Sequence, residues 1–296
     1  MCKKIAVFGA TGFVGQHLVA GAKARGFVVT TIGRNREADI KAELDDFDNI
    51  KMLCLPEYDA MIDVAAVNEI SIANDVKKAY DINVTRSRAI IELAKRNNIK
   101  NVSYCSTFHV YGKQSGEISC NTECTPRNDY GITHYLSEII YRQMGQQYQI
   151  STKIVRPTNI YGLPHSFDSF NRWSLVPYDF VKTAVEDNKI TIRSTGLQQR
   201  NFVHVANVVD ALLKFENKTV DVIGSDTLSI RDFALLVAET LNPEFGEIKV
   251  TWVDEDENFK EEPLVFSEKI KLKSEFDAYL LSQFIEKFAR MCKELC

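Results

Sequence analysis

The 296-residue sequence contains no apolar run approaching the ~20 residues needed to cross a bilayer, and no signal-peptide pattern precedes its first strand-like segment. Neither a membrane protein nor a secreted one is expected. A dominant charge of one sign is also missing, because 36 Lys and Arg stand against 40 Asp and Glu for a net charge of −4. Duplex nucleic acid would find no electrostatic footprint on such a chain, so an anionic ligand must be held by local arginines and helix termini. The seven cysteines (Cys2, Cys54, Cys105, Cys120, Cys124, Cys292, Cys296) are odd in number and scattered through a chain too large to need a disulfide scaffold. They read as reduced thiols of a cytoplasmic protein. Cys120 and Cys124 have no second Cys or His pair at matching spacing, so no metal site is expected. Internal repeats and low-complexity tracts are absent as well.

What is present is an ordinary globular composition, 45% hydrophobic and 26% charged, long enough for two lobes. Its most informative stretch begins at Lys4. Ile5 to Phe8 form an apolar run suited to a central parallel strand, Gly9, Gly12 and Gly15 follow, and Phe13, Val14, Leu18 and Val19 recur at helical spacing. A side chain at Gly9 would obstruct the tight turn, one at Gly12 would block backbone approach to a pyrophosphate, and one at Gly15 would hold the helix off the strand. The helix N-terminus then offers free N–H groups to the phosphates. Further strand-like runs at 28–32, 60–64, 102–106 and 153–156 alternate with helical patterns at 13–25, 74–97 and 129–148. This alternation predicts a doubly wound α/β fold with a parallel sheet. After Tyr161 the pattern loosens around Pro164, Pro177 and a cluster of aromatics, where the chain is expected to build a smaller lobe. The last stretch, 267–296, reads mostly helical, with Phe276, Leu280, Phe284 and Phe288 on one stripe that belongs to a core or an interface.

In an NAD site a carboxylate about 20 residues after the glycines accepts from the ribose hydroxyls. Here the second strand runs into Gly33-Arg34-Asn35-Arg36, and the nearest carboxylate, Glu37, lies too far along. A guanidinium can clamp a 2′-phosphate instead, so Arg34, aided by Arg36, favours NADP, with NAD still possible. The alternative is a solvated basic loop.

The segment Gly9-Ala10-Thr11-Gly12-Phe13-Val14-Gly15 resembles the first turn of the extended short-chain dehydrogenase/reductase family, of the nucleotide-sugar epimerase, dehydratase and reductase type. Later blocks extend the resemblance over about residues 4 to 240: Ser106-Thr107-Phe108-His109-Val110-Tyr111-Gly112, Tyr130-Gly131-Ile132-Thr133-His134, Arg156-Pro157-Thr158-Asn159-Ile160-Tyr161-Gly162, and Gly196 to Val205 around Arg200. The resemblance implies a Rossmann-type domain over 1–162 and a substrate lobe over 163–296, with segments around 197–212 returning to the first domain. It implies cofactor contacts from Gly9, Thr11, Gly12, Phe13, Val14, Gly15, Arg34, Ala65, Tyr130 and His134. Thr107 would hydrogen-bond the substrate oxygen and Tyr130 would act as general acid/base. Asn159 and Arg200 would hold the diphosphate of a nucleotide-diphosphate sugar, and Asn83 would shape its helix near the site. A homodimer through the helices at 74–97 and 129–148 is implied as well.

The main departure lies at His134, where the family carries a lysine that lowers the tyrosine pKa from its usual ~10 and grips the nicotinamide ribose. The i, i+4 spacing keeps His134 on the face of Tyr130. A nearby phenolate would raise the imidazole pKa and keep it cationic; otherwise the site is weakened. Phe108 and His109 replace the Asp-Glu pair of the dehydrating members, which disfavours a 4,6-dehydratase. His109 matches the cysteine with which members similar to GDP-fucose synthase epimerise a keto-sugar, and His165 falls near their partner acid. The expected activity is therefore an NAD(P)-dependent 4-keto-sugar reductase or sugar epimerase. The competing reading is a member that binds cofactor and nucleotide-sugar without efficient turnover.

Overall fold

Side chains of the first strand, β1 (Lys4–Phe8), alternate between two covered faces: Ala6 and Phe8 face one apolar cluster, while Ile5 and Val7 face another. A strand covered on both sides belongs in the middle of a parallel sheet, and the computed structural model places it there. The structure describes residues 3–43, 45–67, 69–119, 121–165, 167, 170–253, 262–267 and 280–294, the side chains of 69–71 excepted. Cys2, Cys120, Cys296 and Phe276, named above, lie outside these residues.

From β1 the chain continues through α1 (Phe13–Ala24), β2 (Val28–Gly33), β3 (Ile40–Lys41), α2 (Phe47–Met52) and β4 (Ala60–Asp63). Then come α3 (Glu69–Asn74), α4 (Val76–Tyr80), a π-turn (Asp81–Thr85), α5 (Arg86–Arg96), β5 (Asn101–Cys105), a 3-10 turn (Phe108–Tyr111), β6 (Gly116–Ile118), α6 (Asp129–Tyr148) and β7 (Ser151–Pro157). The remainder comprises β8 (Asn159–Tyr161), α7 (Val176–Asp187), β9 (Lys189–Thr191), β10 (Gln199–His204), α8 (Val205–Leu212) and β11 (Lys218–Val222). It closes with β12 (Asp226–Ser229), α9 (Ile230–Phe245), β13 (Lys249–Thr251), β14 (Leu264–Phe266) and α10 (Leu281–Lys293).

Seven strands form one parallel sheet in the order β11-β7-β5-β4-β1-β2-β3, as a Rossmann-type doubly wound fold requires. Helices α2, α5 and α6 cover one face, while α1 and α8 cover the other. Strand order reverses between β1 and β4, and the crevice outside the carboxyl ends of such a pair is where ligands bind in open α/β sheets. The smaller lobe packs α7, α9 and α10 around Phe202 and Phe233, with Tyr178, Phe284 and Phe288 fully buried. The chain beyond 163 does not stay in that lobe, since α8 packs on α1 and β11 borders the large sheet.

The helical pattern over 74–97 is broken in two places. Asp75 caps α4 by accepting from the Lys78 N–H at 2.9 Å, which starts a fresh helix there. The π-turn at Asp81–Thr85 then widens the backbone before α5. Leu280 precedes α10 and is 64% exposed, so it leaves the expected apolar stripe, while Phe284 and Phe288 stay on it. Among the described residues no helix is long and apolar enough to cross a membrane.

Candidate active site

Gly9 and Gly15 perform the steric tasks their spacing implies. Gly9 has φ +82°, and a Cβ there would sit 2.5 Å from the Ala65 backbone nitrogen, so the loops after β1 and β4 touch. A Cβ on Gly15 would come within 2.0 Å of the Gly9 carbonyl oxygen, whereas one on Gly12 meets nothing nearer than 3.4 Å. Gly12 precedes α1 without a side-chain cap, so the first-turn N–H groups meet no side-chain acceptor there. Beside them opens a cavity of about 940 Å³, bordered by Gly9, Thr11, Gly12, Phe13, Val14, Arg34 and Ala65. Gly15 packs behind this wall. A bare backbone cradle at a helix N-terminus, with a guanidinium on the rim, fits a dinucleotide diphosphate.

Arg34 is exposed on that rim next to Asn35, with the carboxylates of Glu43, Asp45 and Asp75 also on the cavity wall. Asp39 faces the other way: its Oδ2 accepts from the Thr31 N–H at 2.8 Å and the Thr31 hydroxyl at 2.9 Å. Those bonds hold its carboxyl below the usual aspartate range. Arg172 reaches the same cavity from the smaller lobe, beyond any motif in the sequence.

Tyr130 stands between two imidazoles, with ring centres 5.5 Å from His109 and 4.6 Å from His134. Close approach of backbone makes this possible, since a Cβ on Gly131 would lie 2.7 Å from the His109 carbonyl oxygen. Asn128 caps α6 by accepting from the Gly131 N–H at 2.9 Å, fixing the turn that carries Tyr130. Thr107 caps the 3-10 turn, its hydroxyl oxygen accepting from the His109 N–H at 3.3 Å. Thr107, His109, Tyr130 and His134 are thus gathered from the 3-10 turn with its cap, just after β5, and from α6.

His134 is 2% exposed, and its Nδ1 accepts from the Tyr104 hydroxyl at 2.7 Å. Burial first, then the Arg86 charge and His109, lower its pKa to about 3. The imidazole is neutral, and of the two expectations for it, a cation held by a phenolate or a weakened site, burial supports the second.

Several groups support this cluster, and of them sequence reasoning passed over Glu138, Asp221 and Arg86. Glu138, fully buried on α6, accepts from the Ser106 hydroxyl at 2.6 Å and from Arg156 Nε and Nη2 at 2.8 and 2.6 Å. Arg156 Nη1 donates to the Tyr111 hydroxyl at 2.9 Å, which donates in turn to Asp221. The network ties β5, the 3-10 turn, α6, β7 and β11 together. Asn83 in the π-turn accepts from the Val67 N–H at 2.8 Å and donates to the Thr133 hydroxyl at 3.0 Å, while its carbonyl accepts from Ser87 and Ser137. Fully buried Arg86 borders the cavity and donates to the Ala65 carbonyl. Its sequence signal was an arginine heading the apolar stripe of Ala89, Ile90 and Leu93.

The remaining sequence candidates lie elsewhere. Asn159 donates to the Asn201 carbonyl at 2.9 Å, where β8 meets β10. Arg200, partly exposed, donates to the Gln199 carbonyl at 2.8 Å and to Gln114 at 3.4 Å. His165 is exposed beside His17, ring centres 4.5 Å apart, next to Pro164 on the cavity wall.

The profile of the NAD dependent epimerase/dehydratase family matches residues 5–228. A dTDP-4-dehydro-6-deoxy-D-allose reductase of Streptomyces bikiniensis is 24% identical over 270 residues, covering 81% of each chain. Two solved structures share the fold. The UDP-glucuronic acid 4-epimerase of Bacillus cereus, in complex with UDP-glucuronic acid and NAD, aligns with a TM-score of 0.78 at 21% identity, over 99% of this chain and 100% of that one. The RMD protein of Pseudomonas aeruginosa, complexed with NADPH, gives 0.79 at 18% identity with the same coverage.

Proposed function

The chain belongs to the NAD-dependent epimerase/dehydratase family, and on that premise we propose that it is an NADP-dependent oxidoreductase of nucleotide-diphosphate sugars, reducing a 4-keto group or epimerising a carbinol through a transient ketone. The observation that carries this reading is the Tyr130 phenol held between His109 and His134 beside the Thr107 cap. A bound nicotinamide dinucleotide would supply or accept the hydride. Tyr130 moves the proton on or off the carbinol oxygen, and Thr107, whose hydroxyl still has its hydrogen to give, donates to that oxygen. His109 is placed to exchange a proton at the carbon beside a ketone. Arg200 and Asn159 bind the diphosphate, with His165 at the sugar side. The exposed Arg34 on the cavity rim supports NADP over NAD.

We place the enzyme in the cytoplasm as a homodimer joined through α5 and α6, where Leu136 and Ile139 are each 36% exposed. Light scattering at twice the 33.6 kDa chain mass checks the dimer. A second reading, binding without turnover, draws support from the neutral His134. The deciding experiment mixes the protein with NADPH or NADH and UDP-, GDP-, CDP- and dTDP-linked keto-sugars and follows nicotinamide absorbance. Oxidation on one sugar establishes the reductase. Solvent deuterium entering a keto-sugar, lost in His109→Ala, establishes proton exchange beside the ketone, whereas epimerisation of a carbinol by returned hydride leaves carbon unlabelled and is read as interconversion of the 4-epimers. Tight binding of cofactor and sugar with none of these signals favours the second reading.

A further inference from the structure

Arg86 is fully buried at the head of α5, yet its Nε and Nη1 have no hydrogen-bond partner. Orphaned donors on a buried cation are costly and call for an acceptor. The acidic neighbour does not provide one. Asp63 Oδ2 lies 3.6 Å from Nη2 and is taken by the Tyr141 hydroxyl at 2.9 Å, while Oδ1 accepts from the Ala65 N–H at 3.1 Å. Asp63 therefore balances the charge of Arg86 without using its fork. Nη2 is spent on the Ala65 carbonyl, and Arg86 borders the cavity alongside Gly9, Val64 and Ala65.

On α6 the side chain one turn past Tyr130 is a buried imidazole whose Nε2 is also unpartnered. Neutral His134 brings no charge to this region, whereas Arg86 is near enough to depress its protonation. We propose that Arg86 is the cation of this site, its Nε and Nη1 donating to oxygens of a bound nicotinamide dinucleotide, in place of a lysine on α6. The assignment rests on the dinucleotide reading above. It makes Arg86 a binding residue and gives the unused donors their acceptor. A purely structural Arg86 would need no ligand to satisfy them.

The test titrates NADPH and NADH into the protein, reading fluorescence for Kd and thermal unfolding for integrity. Arg86→Met is made in an Asp63→Asn background, so that no buried carboxylate loses its counter-ion, and is compared with Asp63→Asn alone. At least a tenfold rise in Kd for the double variant is expected, while unchanged Kd in folded protein overturns the assignment. Should the double variant not fold, Arg86→Lys decides. Lysine keeps the charge but lacks the planar fork, so a Kd raised several-fold is expected, and wild-type Kd overturns the assignment. Wild-type protein that binds neither dinucleotide would overturn the dinucleotide reading itself, a result distinct from equal binding by all variants.

Discussion

The Tyr104 hydroxyl and His134 Nδ1 lie 2.7 Å apart, both buried between β5 and α6. Burial first, then Asp63, pushes the Tyr104 phenol well above its ordinary pKa, so the hydroxyl keeps its proton and donates it. The Nε2–H tautomer of His134 is thereby assigned. Tyr104→Phe strips Nδ1 of its donor and should destabilise the fold by about 1–3 kcal/mol in urea unfolding. Tyr130→Phe, at a partly exposed position, should leave stability nearly unchanged while lowering turnover by at least a hundredfold, on the order of a lost general acid/base.

Acid should weaken the fold through its buried imidazoles. The pKa of His134 is about 3 and those of His17 and His204 about 4, against 6.5 for the unbound group. With the folded values depressed, the unfolded chain binds more protons between pH 3 and 6.5, so stability rises with pH across that window and levels off above it. Each fully buried imidazole contributes a slope of up to about 1.4 kcal/mol per pH unit, and half-buried His17 less. Denaturant midpoints at several pH values measure this, and His134→Gln should flatten the curve. Turnover, by contrast, should show no inflection from His134 near neutrality.

Glu138→Gln is expected to be among the most damaging single changes. It leaves buried Arg156 without its carboxylate, and breaking one partner of such a pair costs about 3–5 kcal/mol. Arg142, the more exposed partner at 36%, should matter little, and Arg142→Ala provides the contrast. Chemical denaturation of both variants checks the ordering.

Gly15 in the first turn of α1 and Gly33 at the end of β2 should behave oppositely. Gly15→Ala forces a methyl to within 2.0 Å of the Gly9 carbonyl, so it should abolish nicotinamide-dinucleotide binding and lower the unfolding temperature. Gly33→Ala meets nothing within 4 Å and should be tolerated. Calorimetric titration with NADPH separates the two.

The proposed preference for NADP is tested at Arg34. Replacing it by Asp should shift the ratio of NADPH to NADH affinity towards NADH by at least tenfold, about the 1.4 kcal/mol a lost charged contact represents. An unchanged ratio would move the preference to Arg172.

Much of this could be read from residue order. The glycine turn, the parallel sheet and α6 follow from local signals: apolar runs that must be covered on both faces, and a steric need for glycine at Gly9 and Gly15. The broken helix before α5 did not, because its breaks come from the Asp75 cap and from a π-turn that frees the Asn83 carbonyl for Ser87 and Ser137. The grouping of Thr107, His109, Tyr130 and His134 was legible as motif, but the charge of His134 was not. That depends first on burial beside Tyr104 and then on the charge of Arg86, residues about 30 and 48 positions away that meet it only in the folded core. Arg156 was legible, while its buried partner Glu138 could have passed for a solvated helix residue.

The outer position of β11 has a consequence for how the chain comes to be folded. Its five register partners on β7 are separated from it by about 65 residues, including the whole of α7, β10 and α8. A ribosome that has released only the first 200 residues presents a six-strand platform with one hydrogen-bonding rim bare, and sheet rims of that kind recruit foreign strands. Late synthesis of Lys218–Val222 is thus the step that covers the β7 rim of the nascent platform.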